Sequence, residues 1–216
     1  MRLTYHYCRS TFCNCYVIRS DVPESKEAVL PEKAHAPLEA LIIDPGEMDV
    51  RILNYIEEHE YTLKGVLITH DHRTHVKGLA AIMRIYNTPI YAVNPVVGEY
   101  AATLVKDGSC IDIGQFKVEV LAVPGHSPDS AVFKIEHLLF TGDAMSAGLV
   151  GSTANSYAEA TLVNTLRSKI LSLPGDFTIL PGHGPPSTLK AERRFNVGIN
   201  SFTSQQSRRS VFRIEF

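Results

Sequence analysis

The feature that most constrains this chain is a run of three histidines directly after a short apolar stretch. The segment is ITHDHRTH at residues 68–75, which contains His70, His72 and His75. Packing gives no reason for three imidazoles at the end of a buried strand, because each must be desolvated and protonation of one disfavours its neighbours. Neutral imidazole is, however, a very good ligand for a divalent metal. The run therefore predicts a metal site.

Three later segments share one design, in which an apolar strand ends in Gly or Pro and a potential ligand follows. They are VPGHS at 123–127, FTGD at 140–143 and LPGHG at 180–184, and they supply His126, Asp143 and His183. Gly and Pro let the backbone turn sharply, so the ligand side chain can leave the strand end and point into a shared crevice. Each segment alone is weak evidence. Together with the histidine run they strongly indicate a shared site.

Short apolar runs rich in β-branched residues and bounded by Gly, Pro or Asp are typical of strands. They predict strands at 2–8, 13–19, 39–44, 64–69, 89–93, 116–122, 130–136, 137–141 and 177–180. The longer apolar period predicts a helix capped by Asp49, one over 79–86, one from a Ser156–Glu159 capping box to Pro174, and one over 188–196. Strands come first and then alternate with helices, so we expect sheets covered by helices.

Length and charge limit the domain organisation and the partners. The 216 residues predict one domain, 1–216, with a charged surface loop at about 21–38 and a short tail from about 197. Twenty-one basic and 23 acidic side chains leave no surplus for nucleic acid or an anionic membrane. No apolar stretch approaches the ~18 residues of a membrane helix, and the first ten residues lack an export signal. We therefore expect a cytoplasmic protein with reduced cysteines and a small-molecule substrate.

Together with NCYVI at 14–18 and Asp44-Pro45-Gly46, these motifs resemble the metallo-β-lactamase superfamily, and within it the small hydrolases similar to glyoxalase II. The resemblance covers most of the chain and implies an α+β fold, a four-layer αββα sandwich, with metals at one edge between the sheets. It implies a first metal held by His70, His72 and His126, and a second held by His75 and His183, with Asp143 bridging both and acting in catalysis. Asp44 would orient one of the imidazoles.

One position departs from the family pattern His-x-His-x-Asp-His, because Thr74 stands where the pattern has Asp. A threonine hydroxyl is neutral and a poor zinc ligand, so one shared carboxylate would face the charge of two cations. We therefore expect one firm zinc site and a second that is weak or absent, with Fe or Mn as other possible metals. Asp71 occupies a variable position of the motif, and we do not expect it to replace the missing ligand. His6, His35, His59 and His137 lie away from these segments and are expected to be bystanders.

The resemblance leaves three hypotheses for function. The first is a hydrolase of a thioester or other ester, similar to hydroxyacylglutathione hydrolase, because bound Zn²⁺ lowers the pKa of its water from about 15.7 toward 7 and polarises the carbonyl. Without Asp at position 74 such an enzyme is expected to be slow. The second is an iron persulfide dioxygenase-like oxidoreductase that uses His70, His126 and Asp143. The third is a degenerate member with a structural metal. About 20 residues follow the last predicted helix, too few for the C-terminal domain that binds glutathione in longer glyoxalase II enzymes.

Overall fold

The structure, a computed structural model, describes residues 1–20 and 38–201. The predicted surface loop at about 21–38 lies outside this part of the chain except for Leu38. Of the predicted tail from about 197, only residues 197–201 are described, and they are helical rather than irregular. No helix in these two stretches combines the length and apolarity that crossing a membrane requires.

The first sheet is built from the N-terminal half of the chain. Its six strands are β1 Arg2–Tyr7, β2 Asn14–Arg19, β3 Glu39–Ile43, β4 Thr62–Leu67, β5 Ile90–Ala92 and β8 Thr103–Leu104. Between β5 and β8 the chain forms a separate short hairpin of β6 Val96–Val97 and β7 Tyr100–Ala101. The order in the sheet is β1-β2-β3-β4-β5-β8. β2 is antiparallel to both of its neighbours, β1 and β3, whereas β3, β4, β5 and β8 are parallel to one another.

The second sheet comes from the C-terminal half. Its six strands are β9 Cys110–Ile113, β10 Phe116–Ala122, β11 Ala131–Ile135, β12 Leu138–Gly142, β15 Thr178–Pro181 and β16 Ser187–Thr188. Between β12 and β15 the chain forms a second separate hairpin of β13 Met145–Ser146 and β14 Leu149–Val150. The order is β16-β15-β12-β11-β10-β9. All neighbours are antiparallel except β12 and β15, which are parallel.

In the described part of the chain five helices lie against the sheets, in addition to the helical residues 197–201. They are α1 Val50–Glu58, α2 Arg73–Val76, α3 Leu79–Ile85, α4 Ser156–Thr165, which continues into a π-helical turn Leu166–Ile170, and α5 Leu189–Phe195. Asp49 caps α1 as predicted, accepting hydrogen bonds from two backbone N–H groups of its first turn. The predicted cap of α4 is wrong, because the side chain of Asn155, not Ser156, accepts from the Ala158 N–H. The α-helix also ends at Thr165, well before Pro174.

Alternate residues of each central strand pack into different layers. Tyr16 and Leu41 belong to the apolar core between the two sheets, whereas their neighbours Val17 and Ile42 pack with α1 and α3 on the outer face. A third core lies between the second sheet and α4, and includes Leu162. Strands buried on both faces are apolar almost without interruption, which is why they stand out in the sequence. The four-layer αββα prediction is confirmed.

All nine predicted strands are present, and each end lies within two residues of its predicted position. The sequence prediction missed β9, because its four residues CIDI contain only two β-branched side chains, separated by Asp112. Strands as short as β6 to β8 were also missed. They are two-residue ladders that depend on their pairing partners rather than on local propensity.

The close contact between α4 and the end of the second sheet can be tested at Gly125. Its φ is 140°, and a Cβ there would lie 2.5 Å from Leu162 Cβ and 2.6 Å from the Ala158 carbonyl oxygen. We expect Gly125→Ala to lower the free energy of unfolding of the metal-free protein by about 3 kcal/mol, through overpacking and backbone strain. The control is Gly108→Ala, where φ is 73° and nothing lies within 4 Å, so strain alone should cost about 1 kcal/mol. Urea unfolding measures both free energies of unfolding, and equal losses in Gly125→Ala and Gly108→Ala would contradict this prediction.

Candidate metal centre

Strand direction brings the ligand-type residues of the second sheet to one edge. β10 and β12 are both antiparallel to β11, and β15 is parallel to β12, so these three strands point the same way. His126, Asp143 and His183 follow their carboxyl ends. The first sheet reaches the same edge after β4, where the Thr69 carbonyl accepts a 2.9 Å hydrogen bond from the Ala131 N–H. Four strand ends therefore meet at one place.

Three imidazole nitrogens converge at this edge. His72 Nδ1 lies 2.9 Å from His70 Nε2 and 3.1 Å from His126 Nε2. His70 is buried, His126 is half-buried and His72 is exposed, so the group is open to solvent on one side only. These are the three residues that the resemblance assigns to a first metal.

The partners of the outer nitrogens determine which atoms carry lone pairs. The Thr69 hydroxyl donates to Asp44 Oδ2 at 2.7 Å, so its oxygen accepts from His70 Nδ1–H at 3.1 Å. His126 Nδ1–H donates to the Ser152 carbonyl at 2.8 Å. In the neutral imidazoles, the Nε2 atoms of His70 and His126 therefore both present lone pairs to the same atom, His72 Nδ1. One proton on that atom can satisfy one lone pair well, whereas a cation between the three nitrogens satisfies all of them.

A second group forms around Asp143. Donor atoms of His70, His75 and Asp143 lie within 4.8 Å of one another. Asp143 Oδ2 is 3.4 Å from His75 Nε2, 3.9 Å from His70 Nε2 and 3.8 Å from His126 Nε2. His75 Nδ1–H donates to Asp44 Oδ2 at 3.0 Å, which leaves Nε2 of neutral His75 as an acceptor facing a carboxylate. That Nε2 is buried and without a hydrogen-bond partner.

The buried positions shift the protonation of these groups. Burial, and then the charge of His75, lower the pKa of His70 to about 3. Burial and the neighbouring His126 also lower the pKa of His72. Burial lowers the pKa of His75 too, but the carboxylates of Asp44 and Asp143 outweigh it and raise that pKa well above its ordinary value. Burial raises the pKa of Asp143, but the contacts with His183 and His75 hold it well below its usual range.

The residues assigned to a second metal are close together but differently arranged. His183 turns Nδ1 toward Asp143, at 2.8 Å from Oδ1 and 3.0 Å from Oδ2, and it joins neither group of donor atoms among the described residues. The His75 and His183 rings are 5.2 Å apart. Thr74 is half-buried in the short helix α2. Its carbonyl oxygen packs on Gly46, where a Cβ would lie only 2.1 Å away.

Asp71 faces away from the histidines. Its carboxylate oxygens accept hydrogen bonds from the Gly98 N–H at 3.1 and 3.0 Å. Its own N–H donates to Asp129 Oδ2 at 2.9 Å, and Asp129 Oδ1 accepts from the Ser127 hydroxyl at 2.7 Å. Asp129 thus holds the backbone between His70 and His72 in place. This positioning role was missed, although Asp129 lies only two residues after the VPGHS segment.

Two further positions near the site gave little signal in the sequence. Asn14 Nδ2 donates to the carbonyls of Pro181 and Gly184 at 2.9 and 2.8 Å, which ties β2 to the loop that carries His183. At Gly182, a Cβ would lie 2.2 Å from His75 Cε1 and 2.7 Å from Asp143 Oδ1. Neither role follows from local sequence, because both depend on residues far apart in the chain.

The remaining histidines lie away from the centre where the structure describes them. The rings of His6 and His59 pack on Tyr55. The His137 side chain is 68% exposed in the β11–β12 turn. His35 lies outside the described residues.

Known proteins share both the sequence pattern and the fold. The hydroxyacylglutathione hydrolase GloC of Haemophilus influenzae is 30% identical over 187 residues, which cover 75% of this chain and 88% of that protein. The crystal structure of ETHE1 from Myxococcus xanthus matches with a TM-score of 0.74 at 25% identity, over 91% of this chain and 84% of that one. The crystal structure of TTHA1623 in a di-iron-bound form matches with a TM-score of 0.69 at 24% identity, over 90% and 98% of the two chains.

Residues 37–183, which include every candidate ligand, match the metallo-beta-lactamase superfamily. The fold and the histidine-rich strand ends agree with that match. The chain therefore belongs to the metallo-beta-lactamase superfamily.

Proposed function

We propose that this chain is a metal-dependent hydrolase that cleaves a thioester or ester bond in a small molecule. The proposal is carried by the three convergent imidazole nitrogens of His70, His72 and His126 beside the carboxylate of Asp143. The lone pairs of His70 and His126 and the orphaned Nε2 of His75 fit a cation at this place. A relative named hydroxyacylglutathione hydrolase supports thioester cleavage as the reaction.

The residues of the centre divide the work between binding and proton handling. His70, His72 and His126 would hold one metal firmly, and a divalent metal there would activate water and polarise the carbonyl. Asp143 stays ionised, so it can accept a hydrogen bond from the attacking water. His183 holds both oxygens of that carboxylate and fixes its orientation. A nucleophilic Ser or Cys is not needed for this chemistry.

Zinc is the metal that three imidazoles with an open position suit best. Iron and manganese remain alternatives, and a solved structure of this fold is described as di-iron-bound. The second position keeps His75, His183 and a share of Asp143 but has Thr74 in place of a carboxylate. We therefore propose one firmly bound metal and a weak or absent second.

A persulfide dioxygenase-like oxidoreductase is the second candidate. The observation that favours it is the set of two imidazoles and one carboxylate, in which Asp143 Oδ2 lies 3.9 Å from His70 Nε2 and 3.8 Å from His126 Nε2. Two histidines and one carboxylate with open positions suit non-haem iron.

The metal stoichiometry tests the role of Thr74. We expect protein purified without added metal to hold about one equivalent, because the second position lacks a carboxylate to balance another divalent charge. Thr74→Asp should raise the content toward two equivalents, and the neutral isostere Thr74→Asn should leave it near one. Elemental analysis of the three proteins decides this, and two tightly held equivalents in the wild type would contradict it.

Variants of the neighbouring residues His72 and Asp71 test which side chains are metal ligands, because the two side chains have different partners in the structure. His72→Ala removes the atom on which two other imidazole nitrogens converge, so we expect most of the bound metal to be lost. Asp71→Asn keeps an oxygen for the Gly98 N–H but removes the carboxylate, so we expect the metal content to stay unchanged. Equal metal loss in both variants would show that Asp71 is a ligand after all.

The reaction class is tested by anaerobic hydrolysis of S-ethyl thioacetate and S-lactoylglutathione. We expect cleavage that a chelator abolishes, and a fall in kcat of about 100-fold in Asp143→Asn, as for the loss of a proton-handling group. Metal content is measured alongside. Oxygen consumption with glutathione persulfide and no thioester cleavage would instead support the oxidoreductase. If neither reaction occurs, both catalytic proposals fail, and a structural metal is the remaining hypothesis.

A further inference from the structure

Two depressions flank the candidate metal centre, and His183 forms part of both. The larger has a volume of about 550 Å³, and its side chains besides His183 include Tyr5, Tyr7, Phe12 and Asn14. The smaller, of about 240 Å³, lies toward Leu149 and Val150 and also contains Asp143 and His126. His183 is common to both, so a substrate whose reacting bond lies at Asp143, in the smaller depression, can pass His183 and reach the larger one, which we call the aromatic pocket.

The chemistry of the aromatic pocket differs from that of a site for an anionic substrate. Its walls are three aromatic rings, an amide and a proline, and among the described residues neither depression is lined by Lys or Arg. The Tyr7 and Phe12 rings are tilted with centroids 6.5 Å apart. Such surfaces favour a flat apolar group, which gains from both burial and ring contacts. The described residues of these walls offer a carboxylate or phosphate neither Lys nor Arg.

Phe12 is a bulky residue in a backbone conformation that disfavours one. Its φ is 58°, in the left-handed region that favours glycine, and its side chain is 65% exposed. A bulky residue in this conformation strains the backbone, and an exposed phenyl ring gains little from burial. The turn would be more stable with glycine at this position. Neither the local conformation nor the core accounts for a phenylalanine here.

The aromatic pocket is also attached rigidly to the centre. The Tyr5 hydroxyl donates to Asn14 Oδ1 at 2.9 Å, while Asn14 Nδ2 donates to the carbonyls of Pro181 and Gly184 on either side of His183. The Tyr16 hydroxyl donates to the same Pro181 carbonyl at 2.7 Å. The aromatic wall and the His183 loop therefore form one unit, and little has to be ordered when a substrate binds.

We propose that the aromatic pocket binds an uncharged, aromatic ring-bearing arm of the ester or thioester, and that Phe12 is a residue that determines this specificity. The inference rests on the proposed hydrolase function of the adjoining centre. It narrows the substrate class from thioesters and esters in general to those with an aryl group a few bonds from the carbonyl.

Two matched pairs of thioesters test this. In the first pair, S-(2-phenylethyl) thioacetate is compared with S-ethyl thioacetate. In the second pair, S-ethyl 3-phenylpropanethioate is compared with S-ethyl propanethioate. The ring is remote from the reacting bond, so the intrinsic reactivity within a pair is similar. We expect kcat/KM to be about tenfold higher for the ring-bearing member of at least one pair, mainly through KM. No preference in either pair would overturn the inference and leave the hydrolase function standing.

The variant Phe12→Gly separates specificity from stability. We expect Tm to be unchanged or raised, because the strain at φ 58° is relieved, while the tenfold preference within a pair disappears. Phe195→Ala is the control, since Phe195 is 63% exposed and lines neither depression. A lower Tm with equal losses for all four substrates would assign Phe12 a structural role and overturn the inference.

Binding without turnover keeps the inference testable if no thioester is cleaved. Ligand-observed NMR on the metal-free protein should detect S-(2-phenylethyl) thioacetate but not S-ethyl thioacetate, and Phe12→Gly should abolish the signal. A signal in the absence of any hydrolysis would support the pocket and count against the hydrolase. No signal for the ring-bearing compound would overturn the pocket.

Discussion

The buried carboxylate of Asp44 holds together the elements that form the centre. It accepts hydrogen bonds from the Thr69 N–H at 2.8 Å, the Thr69 hydroxyl at 2.7 Å and His75 Nδ1 at 3.0 Å. A carboxyl group at 2% exposure requires such partners, because desolvating its oxygens is costly. Through the Thr69 hydroxyl it also sets the tautomer of His70. One carboxylate thus directs the lone pairs of two imidazoles and joins the end of β3 to the end of β4.

Close backbone contact between the two sheets completes this arrangement. At Gly142, where φ is 49°, a Cβ would lie 2.3 Å from the Thr69 hydroxyl. Gly182 similarly touches His75 and Asp143. Side chains at these two positions would clash with Thr69, His75 and Asp143, so the strand ends could not approach one another as closely. The glycines before Asp143 and His183 therefore serve the assembly of the centre as well as the turns themselves.

The charge balance connects Thr74 to the expected function. One divalent cation beside Asp143, with Asp44 behind a neutral His75, would leave the centre close to neutral, whereas a second cation would add two positive charges with no new carboxylate. Asp143 is already held by His183 on both oxygens. A centre of this kind would need no charged group on the substrate, which is consistent with the lack of Lys and Arg among the described residues that line the aromatic pocket.

Most of the fold and the residue types of the centre were predictable from the sequence. Apolar runs ended by Gly, Pro or Asp marked nine strands, because strands buried on both faces leave an almost continuous apolar signature. Histidines at strand ends predicted a metal site, because burial disfavours them there for most other purposes. The prediction of the α4 cap was wrong because Asn155 and Ser156 are both good capping residues, and the local pattern does not rank them.

The tertiary structure alone decided how the atoms are used. It turned Asp71 toward Gly98 and His183 toward Asp143, and it placed His75 with His70 in one group of donor atoms. It also brought Asn14 to the His183 loop, across 170 residues of chain. Each of these outcomes depends on side-chain rotamers and on contacts between distant segments. The sequence by itself determined which chemistry the chain carries, whereas packing determined which atoms meet.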